Sequence, residues 1–363
     1  MTYKYKILSI DGGGIRGIIP ALILAELEKC SGKSIAESFD LIAGTSTGGV
    51  LAMGLTKPHS RTPQRPQYSA ADLVDLYCTQ GKRIFQERFP GRIDEWLSNP
   101  KHSSKGKEAV FSEYLGETTL DQALTDIFVT SYDTQLRKPI FFTGNPNAEE
   151  HDNSLNFRRI CSGFTMKQAA MATSAAPTFF EPYCIPTSHR DTPRGFYSLI
   201  DGAVYANNPT LLAALEARMD YRRRQEAAGV QAIEELYLPQ ILIVSLGTGA
   251  LAHSYAYETV QKWGKLEWIQ PFIHITFDGQ SESVDSQLSS FLRAACTEQH
   301  YYRFQIDLDE THNAMDDTSE INIRRLKDLA YRMIEEQAST LERLCRALDT
   351  NPRLAQRSEY IAV

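Results

Sequence analysis

The stretch FDLIAGTSTGGVLAMGL, residues 39–55, decides how the chain is to be read. Phe39–Ala43 is a short apolar run of strand character, and Thr47–Leu55 is a small-residue segment that reads as a helix packed close behind it. Between them, Gly44-Thr45-Ser46-Thr47-Gly48 fits G-x-S-x-G at a strand-to-helix turn. Such an elbow lifts the Ser46 hydroxyl clear of a sheet edge, and Gly44 and Gly48 leave room for the tight turn. The same five residues also suit an ordinary Gly/Ser turn, so the motif needs partners.

Upstream, Lys4–Ile10 alternates and closes in ILSI, a buried strand, and Ile18–Cys30 carries a helical stripe at Ile19, Leu22, Ile23 and Leu27. Strand–helix–strand–helix predicts an α/β fold with a central, mostly parallel sheet flanked by helices in three layers. The first turn is Asp11-Gly12-Gly13-Gly14-Ile15-Arg16-Gly17. Gly12, Gly14 and Gly17 satisfy the dinucleotide fingerprint G-x-G-x-x-G, which makes a nucleotide-binding module one reading. That reading asks for a carboxylate at the end of the second strand, where this chain has Ala43-Gly44-Thr45-Ser46. The other reading is a run of backbone N–H groups that attracts a developing oxyanion.

Downstream, HSRTPQRPQ (59–67) is a polar loop, and Ser69 with Asp72 forms a capping box for a helix to about Ile84. Residues 85–118 read as irregular and mix Phe85, Phe89 and Trp96 with Arg88, Arg92, Lys101, Lys105 and Lys107, a candidate lid or membrane contact. Strands are expected at 138–143 and 155–161, and an Ala-rich helix at Met166–Ser174. FYSLI (196–200) runs as a strand into Asp201-Gly202-Ala203, followed by a helix capped at Asn208-Pro209 and reaching Ala228. QILIVSL (240–246) is a buried strand. An aromatic stretch (251–277) includes Tyr255, Tyr257, Trp263 and Trp268, a second candidate for lipid contact. A helix near 281–295, a strand near 301–306 and an amphipathic helix over 319–348 follow. The expectation is one domain over 1–363, with a motif-bearing core at about 5–310 and a helical segment, 311–363, packed on it.

The chain has 363 residues, 42% hydrophobic and 23% charged, with a net charge of −7. No global basic field invites nucleic acid, and any membrane docking must use a local patch. The opening MTYKYKILSI lacks the pattern of a secretory leader, and no run of 18 apolar residues occurs. Six scattered cysteines without a C-x-x-C pair are expected to be free thiols of a cytoplasmic protein. Zinc motifs and calcium loops are absent from the sequence, so no metal or cofactor is expected.

Asp201-Gly202-Ala203 alone is a common turn signal, yet after a strand it supplies a base for Ser46. A Ser–His–Asp hydrolase is the competing enzyme reading, with His253, His274 or His300 available after Asp201, although His274 within FIHITF reads as a core or strand-face residue. Taken in order, DGGGIRG, GTSTG and DGA resemble the patatin-like phospholipase family. ATSAAPTFFEP (172–182) and DGQSESVDSQLSSFL (278–292) are similar to further stretches of those enzymes. The resemblance implies a lipid acyl hydrolase in which Ser46 is the nucleophile and Asp201 its base, without a histidine. Gly12, Gly13, Gly14 and Arg16 would form the oxyanion loop. It further implies a membrane-lipid substrate reached by peripheral contact, and brings in activation by a cyclic nucleotide, which some compact bacterial relatives use.

Overall fold

A computed structural model describes residues 3–88, 99–149, 157–189, 192, 194–251, 255–295, 300–308 and 314–349. The strands are β1 (Tyr5–Ile10), β2 (Leu41–Thr45), β3 (Asp126–Asp133), β4 (Lys138–Thr143), β5 (Arg158–Ile160), β6 (Tyr183–Pro186), β7 (Phe196–Asp201), β8 (Ile241–Leu246), β9 (Ala250–Leu251), β10 (Tyr301–Phe304) and β11 (Asp307–Leu308). The longer helices are α1 (Ile18–Ser31), α2 (Thr47–Thr56), α3 (Ala70–Ile84), α4 (Ser104–Tyr114), α5 (Met166–Thr173), α6 (Thr210–Ala227), α7 (Ile269–Ala294), α8 (Glu320–Glu336) and α9 (Ala338–Asp349).

β1, β2 and β8 are buried at every position, as strands covered on both faces must be. They form the middle of a nine-stranded sheet ordered β10-β8-β1-β2-β3-β4-β5, parallel from β10 to β3. β4 and β7 run antiparallel to β3, and β6 pairs with β7. Alternate residues of one strand serve opposite cores. Tyr5, Ile7, Leu41 and Ile243 pack on Ala213, Ala214 and Ala217 of α6. Leu8, Ile10, Ile42 and Val244 pack on the side of α1, α2, α3, α8 and α9. Two helical layers enclosing a mostly parallel sheet is the architecture expected from the opening strand–helix repeat.

Several local expectations change. α4 occupies part of the stretch read as irregular, and β3 and β6 went unmarked. α7 begins at Ile269, about a dozen residues early, so FIHITF (272–277) is helical rather than extended. The helix read over 319–348 is two helices that break at Gln337. Cys30 of α1 and Cys345 of α9 form a disulfide, which corrects the expectation of free thiols at those positions. Lys6 Nζ, donating to the Leu348 carbonyl at 2.7 Å, ties the same terminal helix to β1. Phe89, Arg92, Trp96, His253 and Cys296 lie outside the described residues. Among the described residues no helix is long and apolar enough to cross a membrane.

Candidate active site

Ser46 and Asp201 meet because β3 acts as their common ruler. Thr45, the last residue of β2, pairs with Thr130, while Asp201, the last residue of β7, pairs with Ser131. Two strand ends separated by 155 residues of chain are thereby set on consecutive positions of a third strand. The Asp201 carboxylate lies near enough to the Ser46 hydroxyl for that hydroxyl to lower its pKa. Its Oδ1 also accepts from Ala203 N at 2.8 Å, and Asp201 N donates to the Ala175 carbonyl at 3.0 Å.

The elbow is strained as a nucleophile elbow should be: Ser46 has φ 55° and ψ −121°, rare for a residue with a side chain. Ser46 N donates to Thr173 Oγ1 at 2.9 Å, and Thr45 Oγ1 bridges Thr130 Oγ1 and the Ala206 carbonyl, each at 2.6 Å. A Cβ on Gly48 would stand 2.1 Å from the Ile10 carbonyl oxygen, and one on Gly44 would strike the backbone of Gly48. Both elbow glycines are therefore demanded by close backbone approach.

The glycine loop lies against this serine. Gly12 N donates to the Asn207 carbonyl at 3.1 Å and so is engaged, whereas the Gly13 and Gly14 N–H groups have no acceptor among the described residues. Gly13 and Gly14 line the same pocket as Ser46. The loop is braced from outside by Thr248 Oγ1 donating to the Gly12 carbonyl (2.6 Å) and by Ile15 N donating to the Met315 carbonyl (2.8 Å). Arg303 grips both oxygens of the buried Asp11 at 3.0 and 2.7 Å. Arg16 is buried; its Nε donates to the Gly13 carbonyl at 3.3 Å, and burial lowers its pKa to about 10 against the opposing charge of Asp278. That geometry makes it a brace of the loop.

The pocket opens to solvent and, counting its mouth, holds about 600 Å³ of free space. Val50, Phe85, Phe111, Phe179, Phe180 and Phe277 make its walls apolar, while Ser46, Asp201 and Lys107 supply the polar points. That is the lining expected of a site for an acyl chain with its ester at one end. Burial raises the Asp201 pKa to about 6, against the lowering effects of the neighbouring Ser46 hydroxyl, the Ala203 N–H and the Lys107 charge. A carboxylate so placed is a stronger base than an exposed aspartate.

Lys107 was not singled out by sequence reasoning, where it was one of several basic residues in an unstructured stretch. α4 instead turns it inward, fully buried, with Nζ donating to the Ser174 carbonyl at 2.8 Å. Within 172–182, Ser174 and Ala175 offer carbonyls to Lys107 and Asp201, and Phe179 and Phe180 wall the pocket. Within 278–292, Gln280 and Ser281 hold Asn208 and Asn207, just after Asp201. Neither described histidine of the triad reading lies in the pocket. His300 meets Tyr3 edge to face ahead of β10, 5.0 Å between ring centres, and His274 sits on α7 beside the charge of Arg16.

Residues 8–214 match the family described as patatin-like phospholipase. The chain is 33% identical over 344 residues to "Probable inactive patatin-3-Kuras 1" of Solanum tuberosum, covering 92% of this chain and 87% of that one. It is 32% identical over 347 residues to "Patatin-like protein 1" of Arabidopsis thaliana, covering 90% and 81%. The solved structure of VipD from Legionella pneumophila aligns over 92% of this chain and 67% of its own, with a TM-score of 0.35 and 13% identity, too remote to carry an argument.

Proposed function

The chain belongs to the patatin-like phospholipase family, a family of lipid acyl hydrolases, and from that premise we propose that it cleaves fatty-acyl esters of membrane glycerolipids through a Ser46–Asp201 dyad. The observation that carries this reading is the convergence of Ser46 and the buried Asp201 carboxylate, whose pKa the Ser46 hydroxyl lowers, at the polar point of an apolar pocket.

In this mechanism Asp201 takes the hydroxyl proton as Ser46 Oγ attacks the ester carbonyl. The Gly13 and Gly14 N–H groups receive the oxyanion. Collapse of the tetrahedral species expels the lipid alcohol, which takes the proton back from Asp201. Water, deprotonated by Asp201, then attacks the acyl-enzyme; collapse breaks the Ser46 Oγ–acyl bond, Asp201 returns the proton to Ser46 Oγ, and the fatty acid is freed. Metal and cofactor have no part in these steps. The enzyme would work at a bilayer surface from the cytoplasmic side, with a cyclic nucleotide as its trigger.

A fluorophosphonate probe tests the nucleophile: it should label Ser46 and lose all labelling in Ser46→Ala. Label retained on another serine in that variant would overturn the assignment. Fatty-acid release from mixed liposomes, with and without cyclic dinucleotides, then tests substrate and trigger.

A further inference from the structure

α7 is amphipathic the wrong way round. His274 and Asp278 lie on one side of it and face the protein, where Asp278 is half-buried against the charge of Arg16. The opposite side holds Ile269, Phe272 and Ile275, which are 43, 64 and 45% exposed. At about 100° per residue, Ile275, Phe272, Ile269, Ile273 and Phe277 follow one another around a single arc of roughly 200°. The last two reach the pocket: Phe277 lines the cavity, and Ile273 packs behind it on the cluster of Phe179, Phe180 and Met315. One helix therefore carries a chain of i, i+3 and i, i+4 apolar neighbours from the cavity out to solvent, with Thr276 inside the same arc.

Just ahead of it, Tyr255, Trp263 and Trp268 meet edge to face at 5.1 and 5.0 Å, with exposed Lys262 and Lys265 beside them. Indole and phenol rings with neighbouring lysines suit the headgroup zone of a bilayer, and bare aliphatic and phenyl groups suit the layer beneath it. Scattered exposed hydrophobics need no explanation, but a contiguous band does.

We propose that the N-terminal half of α7, with the aromatic cluster before it, is the surface by which this protein docks on a lipid bilayer, and that Ile273 and Phe277 behind that surface mark the path of an acyl chain into the pocket. The occupant is a bilayer because the band is continuous with the cavity of a lipid acyl hydrolase, so the proposal rests on the reading given above. The net charge of −7 makes general electrostatic attraction to an anionic membrane unavailable, which leaves this local apolar surface to hold the protein.

The test separates docking from chemistry. In a Ser46→Ala background, co-sedimentation with phosphatidylcholine vesicles containing a minority of phosphatidylglycerol should show binding. Ile269→Ser with Phe272→Ser should weaken it by at least tenfold, the scale of withdrawing large apolar side chains from lipid. Phe291→Ser, on an exposed residue about 28 Å further along the same helix, should leave it unchanged. With Ser46 intact, the double variant should hydrolyse a water-soluble, monomeric butyrate ester as the parent does, yet lose turnover on vesicles. Vesicle binding that is absent in the parent, or equal in parent and double variant, overturns the docking surface. So does a parent dimer in sedimentation velocity that the double variant abolishes. Absence of all ester hydrolysis with vesicle binding intact would instead overturn the enzymatic reading alone.

Discussion

Lys107 Nζ stands 3.7 Å from the centre of the Phe180 ring, so the pocket that holds the base also holds a buried amine against its aromatic wall. Burial pushes that amine down to about 7, while the charges of Asp201 and Glu181 pull it back up. The cation in turn lowers the Asp201 pKa. Lys107→Met should therefore move the acidic limb of kcat/KM to higher pH, by half a unit or more on the scale of a buried charge pair. A pH–rate profile on a monomeric ester measures it. A limb that stays in place would mean that Asp201 does not feel Lys107.

Asp201 lowers stability at the pH where it works. Its folded pKa is about 6 against an ordinary 3.8, so folding favours the protonated form and the ionised form costs stability above about pH 6. A shift of about two units corresponds to roughly 3 kcal/mol. Asp201→Asn should raise the unfolding free energy by up to that amount near pH 8, with the gain vanishing towards pH 4. The same variant should lose about 10³-fold or more in turnover, as Ser46→Ala does, because the two groups act as one unit. No single histidine replacement should approach that loss. For the parent, kcat/KM should fall about tenfold per unit below pH 6. Denaturant melts at several pH values, with turnover, test all of this.

Arg303→Met should strip Asp11 of its partner and leave a buried charge alone, at a cost of about 3–5 kcal/mol. Adding Asp11→Asn should recover a good part, since the amide needs no counter-ion. Additive losses in the double variant would mean that the pair itself does not brace the loop.

Gly14 has φ +61°, and a Cβ there would lie 2.0 Å from the Met315 carbonyl oxygen. Gly32 has nearly the same φ, +65°, with nothing within 4 Å. Gly14→Ala should reduce kcat by about 10² or more through displacement of the oxyanion donors, while Gly32→Ala should cost only about 1 kcal/mol of stability. Equal behaviour of the two variants would show that strain, and not loop position, is what Gly14 protects.

The elements nearest the glycine motifs were legible because punctuation and pattern agreed: β1, β2, the elbow and α2 each stand between glycines or turn residues. The Ser69–Asp72 box also forms, with Ser69 N and Oγ both donating to Asp72 Oδ2. β3 escaped notice because it is buried on both faces and carries Thr130 and Ser131 among its apolar residues, which erases alternation. α4 escaped because its inward face is Lys107, Val110 and Phe111, and a buried lysine breaks the apolar period. FIHITF looked extended since Phe272, Ile273, Ile275 and Phe277 leave no polar stripe on that side; the helix is apolar both towards the cavity and towards solvent. The pocket walls were illegible for a simpler reason, that they come from five separate segments.

β3 also bears on how such a chain can change over time. The separation of Ser46 and Asp201 is fixed by two adjacent positions of one buried strand, and not by the length of the loops that join the strands between them. Insertions in the loop at 57–69 would lengthen the path from one residue to the other without altering their spacing. Loop growth of that kind leaves the pair of reacting groups inherited intact.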